Sequence, residues 1–158
     1  MHDWLPRAYA DGADLAARAH MLVAASMGAT AFQKGLGAVH SISHPVGALY
    51  GVHHGLANAI ILPYVLRFNR DAIKAPMERL ARLLGLGSQS FDGVMGWLLK
   101  LRRTLGIPET LGAAGVPVEG AARVAAAAAN DPTAATNPVS LDVASLEILF
   151  LDCVRGNL

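Results

Sequence analysis

The stretch from Gly35 to Asn69 constrains this chain more than any other, because it sets four of the six histidines in a nearly uncharged background. Those four histidines are His40, His44, His53 and His54. Imidazoles among small and apolar residues are poorly hydrated, which suits metal ligation and proton transfer better than a solvated surface does. The alternative interpretation is that one or two of them are core histidines hydrogen-bonded to backbone.

Proline and glycine divide this stretch into two predicted helices. The first begins near Ala38 and runs toward Tyr50, and Pro45 predicts a kink because it cannot donate to the preceding turn. The second opens at His54-Gly55 and closes at Asn69. Its predicted core face consists of Leu56, Ile60, Ile61 and Val65.

The segment before the histidines, from Asp14 to Lys34, contains no proline and is dominated by helix formers. Asp11 or Asp14 is a suitable N-cap for a helix here. Apolar residues recur at spacings of three and four, which predicts a helix buried on one side. The predicted stripe consists of Leu15, Ala19, Leu22, Val23 and Met27. We expect His20, in the same run, to be a partly exposed helix residue.

Downstream segments also read as helices. Residues 70–75 are expected to form a connection, and Pro76 fits the first turn of the next helix. The predicted apolar stripe of that helix is Met77, Leu80, Leu83 and Leu84. Further helices are predicted from Ser88 or Ser90 to Leu105, from Pro117 to Ala129 and from Leu141 to Arg155, the last with Cys153 buried as a small apolar residue. Because no alternating β-branched run occurs, the predicted fold class is all-α, a helical bundle.

Composition limits the partners of the chain. With 158 residues it is expected to be a single domain, and 53% hydrophobic against 16% charged residues predicts a surface that faces another chain or domain, as in a homo-oligomer. The sequence has no basic stripe with interleaved aromatic residues, so we do not expect a nucleic-acid partner. No apolar run reaches the length needed to span a membrane. A single cysteine suits a reducing compartment, so we expect a cytoplasmic protein.

The spacing of the histidines alone does not determine which of them would bind a metal ion. His40 and His44 are four residues apart and would share one face of a straight helix, while His54 begins the following helix. Glycines at 47 and 51 allow the chain to fold back so that His54 approaches His40. Catalytic metal sites use three protein ligands, and the spacing leaves open which histidines ligate.

The stretch resembles the signature of the iron-containing (group III) alcohol dehydrogenases, H-x-x-x-H-P-x-G followed by H-G, A-x-x-L-P and N. The matching residues are His40, His44, Pro45, Gly47, His54, Gly55, Ala59, Leu62, Pro63 and Asn69. The segments on either side resemble the flanking helices of the same domain, so the resemblance covers nearly all of this chain.

The resemblance implies a two-domain enzyme in which an N-terminal α/β domain binds NAD(P) and a C-terminal helical domain holds Fe²⁺ or Zn²⁺. By that resemblance His40 and His54 are metal ligands. His44 is the catalytic histidine near the nicotinamide, where it relays a proton without ligating. His53 lies beside the ligands or on the surface.

Two parts of the family pattern are missing. The family takes its other two ligands from D-x-x-x-H, but Asp3, Asp11 and Asp14 are not followed by a histidine four residues later. No glycine-rich phosphate loop occurs either, because Gly35-Leu36-Gly37 leads straight toward His40. Residues 1–158 are therefore predicted to be one helical metal-binding domain, without the N-terminal nucleotide-binding domain.

These observations lead to two functional hypotheses. The first is the metal-binding half of an NAD(P)-dependent alcohol dehydrogenase for a small alcohol or aldehyde, inactive alone and completed by a nucleotide-binding partner chain or by further sequence of a longer protein. The second is a non-catalytic helical remnant that acts as a self-associating interaction module.

Overall fold

The structure, a computed structural model, describes residues 2–158 and contains eight α-helices and no β-strand within that range. The helices are α1 Leu5–Ala10, α2 Leu15–Ala31, α3 Gly37–Tyr50, α4 His54–Phe68, α5 Arg70–Leu83, α6 Phe91–Thr104, α7 Ala121–Ala129 and α8 Val143–Arg155. Short 3-10 helices occur at Phe32–Lys34, Gly112–Ala114, Val118–Gly120 and Pro132–Thr136, and we call the last the capping turn. The predicted all-α fold is confirmed. None of the described helices is long and apolar enough to span a membrane.

The main core lies between α3, α4, α7 and α8. Helix α3 packs on α4 and α7, and α8 packs on the same two helices. Each helix contributes fully buried side chains, for example Ile42, Ile61, Val124 and Phe150. Burying a side chain such as Ile or Phe stabilises the fold by about 1.5–3 kcal/mol. A smaller second core joins α5 to α6.

The last helix has the buried face that its sequence predicts. Leu146, Leu149, Phe150 and Cys153 are all buried. Burial raises the pKa of the Cys153 thiol, and the nearby Asp152 carboxylate acts in the same direction. A thiol held in its protonated form is a poor nucleophile, so Cys153 is a core residue, as predicted.

The two helices of the histidine stretch also form where the sequence predicts them. Helix α3 continues through the buried Pro45 and ends at Gly51, which has φ +68°. That left-handed conformation costs other residues about 1–2 kcal/mol, so glycine is required for the reversal of chain direction. Helix α4 then starts at His54 and is closed by Asn69, and its residues Ile60, Ile61 and Val65 are buried.

The start of α3 is capped by residues from the other end of the chain. The N–H groups of Leu36 and Gly37 both donate to Oγ1 of Thr136 at 3.1 Å. The N–H of Ala38 donates to Oδ1 of Asn137 at 3.2 Å. Leu36 is itself the N-cap residue and provides no side-chain acceptor. The capping turn and Asn137 therefore fix where α3 begins.

The prediction of a buried stripe on α2 is wrong, although the helix and its Asp14 cap form as predicted. Leu15, Leu22, Val23 and Met27 are 59–78% exposed, and Ala19 is exposed as well. Helix α2 packs against α1, and Ala17 is its only buried residue. Apolar periodicity identifies a helix face that is suited to burial, but it does not predict whether that face packs against the same chain or against another one.

The predicted connection at residues 70–75 is also wrong, because α5 begins directly at Arg70. Asn69 ends α4 and starts α5, and its carbonyl accepts the N–H of Ile73 at 3.1 Å. Pro76 therefore lies in the helix interior, not in the first turn as predicted. The apolar stripe of α5 is only partly confirmed.

Helix α5 buries a different set of residues from the predicted stripe. Met77 is buried, together with Ala81, which the stripe did not include. Leu80 and Leu83 are exposed, so the prediction that they face the core is wrong. Alanine can fill the close contact between two helices, where a leucine of the same helix would not fit.

We predict that Gly35→Ala destabilises the protein by at least about 1–3 kcal/mol, because φ +97° and ψ 161° form a conformation that only glycine adopts easily. An added Cβ would also lie 2.5 Å from Cβ of Thr136. Chemical denaturation measures the free energy of unfolding. Gly28→Ala is the control, since nothing lies within 4 Å of its added Cβ and it should stabilise α2 by about 0.5–1 kcal/mol. Equal stability of the two variants would contradict this account of the capping contact.

Candidate functional site

Three of the four histidines converge where α3 meets the start of α4. The ring centroids of His40 and His54 are 5.2 Å apart, those of His44 and His54 are 5.4 Å apart, and those of His40 and His44 are 5.8 Å apart. His40 and His44 share a face of α3, and the turn at Gly51 brings His54 back beside them. His40 is half-buried, whereas His44 and His54 are exposed.

The side-chain amide of Asn58, one turn after His54, lies between two of these rings. Its Nδ2 is 3.2 Å from Nε2 of His40 and 3.0 Å from Nε2 of His54. An amide nitrogen only donates, so both Nε2 atoms accept and direct their lone pairs at one position. Neutral imidazoles with bare Nε2 atoms have the form that ligates a metal. The sequence prediction did not include Asn58, although its spacing of four from His54 is a usable signal.

His40 has the ligand-competent charge state. Burial lowers the pKa of His40 below its ordinary value of 6.5, and the neighbouring imidazoles of His54 and His44 lower it further. The neutral form is therefore favoured at neutral pH, because a positive charge here would be poorly hydrated and close to other rings.

His44 has a partner of its own that the sequence prediction also missed. Its Nδ1 lies 2.7 Å from Oδ2 of Asp131, the residue that precedes the capping turn. The other carboxylate oxygen accepts the N–H and the hydroxyl of Thr133 at 2.8 and 2.6 Å. Burial raises the pKa of Asp131, but these hydrogen bonds from Thr133 and His44 outweigh burial and lower it below its ordinary value. Asp131 is 87 positions from His44, too far for any local motif to link them.

A reciprocal pair of amides holds the capping turn in place. Nδ2 of Asn69 donates to Oδ1 of Asn137 at 2.9 Å, and Nδ2 of Asn137 donates back to Oδ1 of Asn69 at 2.8 Å. Asn137 also donates to the carbonyl of Val139 at 2.7 Å. Asn69 is only 4% exposed, so this pair links the end of α4 to the segment that carries Asp131.

The remaining predicted histidines lie outside this group. His53 is exposed and precedes α4 as its N-cap residue, without a side-chain capping bond. His20 is an exposed residue of α2 and stacks on Trp4 with ring centroids 4.0 Å apart, in agreement with its predicted place on a helix surface.

The arrangement of two of the histidines is compatible with part of a metal site. His40 and His54 fit such a site, because both Nε2 atoms face the position of the Asn58 amide. Within residues 2–158, however, no group of three or more His, Cys, Asp or Glu residues is arranged to hold a metal ion. A catalytic metal ion at these two imidazoles would need at least one further protein ligand, since catalytic sites use three.

A nucleotide phosphate does not fit the glycine pair before α3. Phosphates bind helix N-termini through free backbone N–H groups. The N–H groups of Leu36, Gly37 and Ala38 already donate to Thr136 and Asn137. The N–H groups at this helix start are therefore engaged in the capping of α3 and are not free to bind a phosphate.

Comparison with known proteins agrees with this arrangement of helices. The sequence profile of the Fe-containing alcohol dehydrogenase family, C-terminal part, matches residues 2–153. This chain belongs to that family. The histidine stretch lies within the matched residues, and the three converging imidazoles lie in that stretch.

Two of the curated relatives have the names of dehydrogenases. A 4-hydroxybutyrate dehydrogenase from Cupriavidus necator is 41% identical over 145 residues, which cover 85% of this chain and 37% of that protein. An NAD-dependent methanol dehydrogenase from Bacillus methanolicus is 34% identical over 145 residues, covering 87% of this chain and 38% of that protein. The chain thus spans less than two fifths of the length of these relatives.

Solved structures of family members superpose on nearly the whole chain. A 1,3-propanediol oxidoreductase matches with a TM-score of 0.91 and 30% identity, covering 96% of this chain and 42% of that one. An iron-containing alcohol dehydrogenase from Thermococcus thioreducens matches with a TM-score of 0.85 and 30% identity, covering 98% and 41%. The helical fold of this chain therefore corresponds to less than half of the length of each of those two chains.

We predict that Asn69→Ala and Asn137→Ala each lower the free energy of unfolding by about 1–3 kcal/mol, because each removes both hydrogen bonds of the reciprocal pair. Asn137→Ala also removes the bonds to Ala38 and Val139, which remain in Asn69→Ala. The double variant should lose less free energy of unfolding than the two single variants lose together, as expected for partners in direct contact. Denaturant unfolding of the four proteins measures this coupling. The matched control is Asn130→Ala, whose exposed amide bonds only to the carbonyl of Ala126 and should change stability by less than about 0.5 kcal/mol. Strict additivity of the two alanine substitutions would contradict the reciprocal pairing.

Proposed function

We propose that this chain is the metal-binding half of an iron-type alcohol dehydrogenase that interconverts a small alcohol and its aldehyde. A nucleotide-binding polypeptide completes the enzyme, either as further sequence of the same protein or as a separate partner chain. The single observation that supports this most is the convergence of Nε2 of His40 and Nε2 of His54 on the amide of Asn58.

The substrate class follows from the relatives. Those named above are dehydrogenases of 4-hydroxybutyrate and of methanol, and both names describe compounds with a primary hydroxyl group. An open groove of about 400 Å³ beside His40 and Asn58 is lined mainly by apolar side chains. A short alkyl chain next to the hydroxyl suits such a lining.

In the proposed mechanism His40 and His54 would hold the metal, Fe²⁺ or Zn²⁺, through their Nε2 atoms. Such an ion would supply Lewis acidity, which lowers the pKa of an alcohol hydroxyl. His44 accepts the hydroxyl proton and, being exposed, passes it to solvent. The nicotinamide nucleotide is held by the completing polypeptide, so the part played by this chain ends at the alcohol oxygen.

The exposed stripe of α2 supports the need for a completing polypeptide. Its large apolar side chains are mostly in solvent, and apolar patches of this kind mark interaction surfaces. The stripe also extends to the site, because the exposed Phe32 ring at its end lies 6.0 Å from His40 between centroids. A polypeptide that covers α2 therefore comes within reach of the positions that two imidazoles leave open.

The same surface favours a second candidate function, a self-associating interaction module. Two copies could bury the α2 stripes against each other without any chemistry at the histidines. Light scattering distinguishes the two, since a monomer over a wide concentration range counts against self-association. Disruption of a dimer by Leu22→Glu without any change in metal binding would favour it.

We predict that His40→Ala and His54→Ala each weaken Zn²⁺ or Co²⁺ binding by at least about tenfold, because either change removes one of two ligands. Isothermal titration calorimetry of the purified chain measures the affinity. His53→Ala is the matched control, since its exposed ring lies outside the group and its loss should leave metal affinity unchanged.

A gain-of-binding variant tests the same geometry independently. Asn58→Asp has the same shape and places a carboxylate between the two Nε2 atoms, so it should tighten binding by about tenfold or more. Asn58→Leu, of similar size and without an oxygen, should not. Unchanged affinity in His40→Ala, His54→Ala and Asn58→Asp would sink the ligand assignment.

We predict that the purified chain shows no turnover of primary alcohols with NAD and a divalent metal, because residues 2–158 contain no group of three metal-ligating side chains and the sequence has no glycine-rich phosphate loop. Addition of the N-terminal part of a family member, carrying D-x-x-x-H and the glycine-rich loop, should restore NADH formation measured by absorbance. His40→Ala in the mixture should abolish it. Turnover by the chain alone would refute the proposal of an incomplete site.

A further inference from the structure

We propose that Asp131 is a positioning residue for His44, which it holds in the tautomer that has the proton on Nδ1 and a bare Nε2. The inference deepens the proposed function, because it rests on His44 being the group that accepts the hydroxyl proton. It also assigns a role to the segment between α7 and α8, which no motif in the sequence connects with the histidines.

The hydrogen bonds of Asp131 determine which ring nitrogen of His44 carries the proton. Its Oδ1 is fully engaged by the N–H and hydroxyl of Thr133, at 2.8 and 2.6 Å. Its Oδ2 lies 2.7 Å from Nδ1 of His44. An ionised carboxylate can only accept, so Nδ1 must be the donor. A neutral imidazole carries a single ring proton, and Nε2 is then left bare.

Both ends of this interaction are fixed by the fold. The capping turn follows Asp131 directly, and Thr136 and Asn137 at its far end accept the first N–H groups of α3. His44 lies on that same helix and also stacks on His54, with the rings inclined at 18°. The Asp131 side chain is 15% exposed, so water competes weakly for the carboxylate.

The tautomer decides which nitrogen can take part in the reaction. In the oxidation direction the O–H bond of the alcohol breaks, its electron pair stays on the oxygen, and the proton goes to the bare Nε2. The imidazolium that forms faces the Asp131 carboxylate across 2.7 Å, which stabilises its charge. With the opposite tautomer Nε2 would already carry a proton and could not accept another.

Nuclear magnetic resonance of the imidazole nitrogens tests this directly, because protonated and bare ring nitrogens give separate signals. The sample is the metal-free full chain at about pH 8.5, where free imidazoles are neutral. His44 is assigned by the signals that disappear in His44→Gln. We expect Nδ1 protonated in the wild type. In Asp131→Asn an amide NH₂ that cannot accept replaces Oδ2, so the ring proton should move to Nε2.

Two controls separate positioning from a general effect on the fold. Asp142→Asn makes the same chemical change at the N-cap of α8, and it should leave the His44 signals unchanged. Thr133→Val removes one donor to Oδ1 but keeps the carboxylate, so Nδ1 should stay protonated. Circular dichroism verifies that each variant folds.

The outcome is decided without any enzyme assay. A proton on Nε2 in the folded wild type overturns the inference, and this measurement needs no variant. An unchanged tautomer in folded Asp131→Asn overturns it as well. Because metal, nucleotide and alcohol are absent from the sample, failure of the proposed dehydrogenase activity would leave the tautomer result standing, and the reverse also holds.

Discussion

The first backbone N–H groups of α3 have no acceptor in their own helix, and the structure depends on how they are satisfied. Thr136 and Asn137 accept the N–H groups of Gly37 and Ala38 across about one hundred positions of sequence, and Thr136 also accepts that of the N-cap residue Leu36. Unpaired N–H groups at a helix start are unfavourable when water cannot reach them, so these bonds stabilise the contact between the capping turn and α3. Asn69 secures the same contact from the end of α4. One set of hydrogen bonds thus joins both helices of the histidine stretch to a distant segment.

The candidate site is built on this frame. Each of the three converging histidines lies on a helix whose end is fixed: α3 by the capping turn, and α4 by the reversal at Gly51. Asn58 and Asp131 then orient the rings, one between the Nε2 atoms of His40 and His54 and the other at Nδ1 of His44. Rigid elements with hydrogen-bonded ligands hold a metal or a proton-transfer group more accurately than loops do. On one side the group of histidines is followed by the exposed Phe32 ring at the end of the apolar stripe of α2.

Sequence reasoning was successful where local signals decide the structure. The two helices around Gly51 and the buried face of α8 follow from proline, glycine and apolar spacing, which act over a few residues. It failed at α2 and α5. The stripe of α2 has the correct period, but no other part of the described chain covers it, and a period cannot name the covering surface. The sequence predicts a helix start at Pro76, but Asn69 starts the helix earlier, and the exposed Pro76 lies in its interior.

By itself, the sequence determined the helical fold class, the family and the proximity of His40 to His54, because two short helices and a glycine turn leave few arrangements for residues fourteen positions apart. The bond between His44 and Asp131, and the capping of α3 by Thr136 and Asn137, result from the packing of the helices. Those partners are about ninety to one hundred positions apart, and a hydrogen bond forms only when packing brings donor and acceptor within about 3 Å. Composition and residue spacing do not predict which distant segments pack together. The core between α3, α4, α7 and α8 brings those segments into contact.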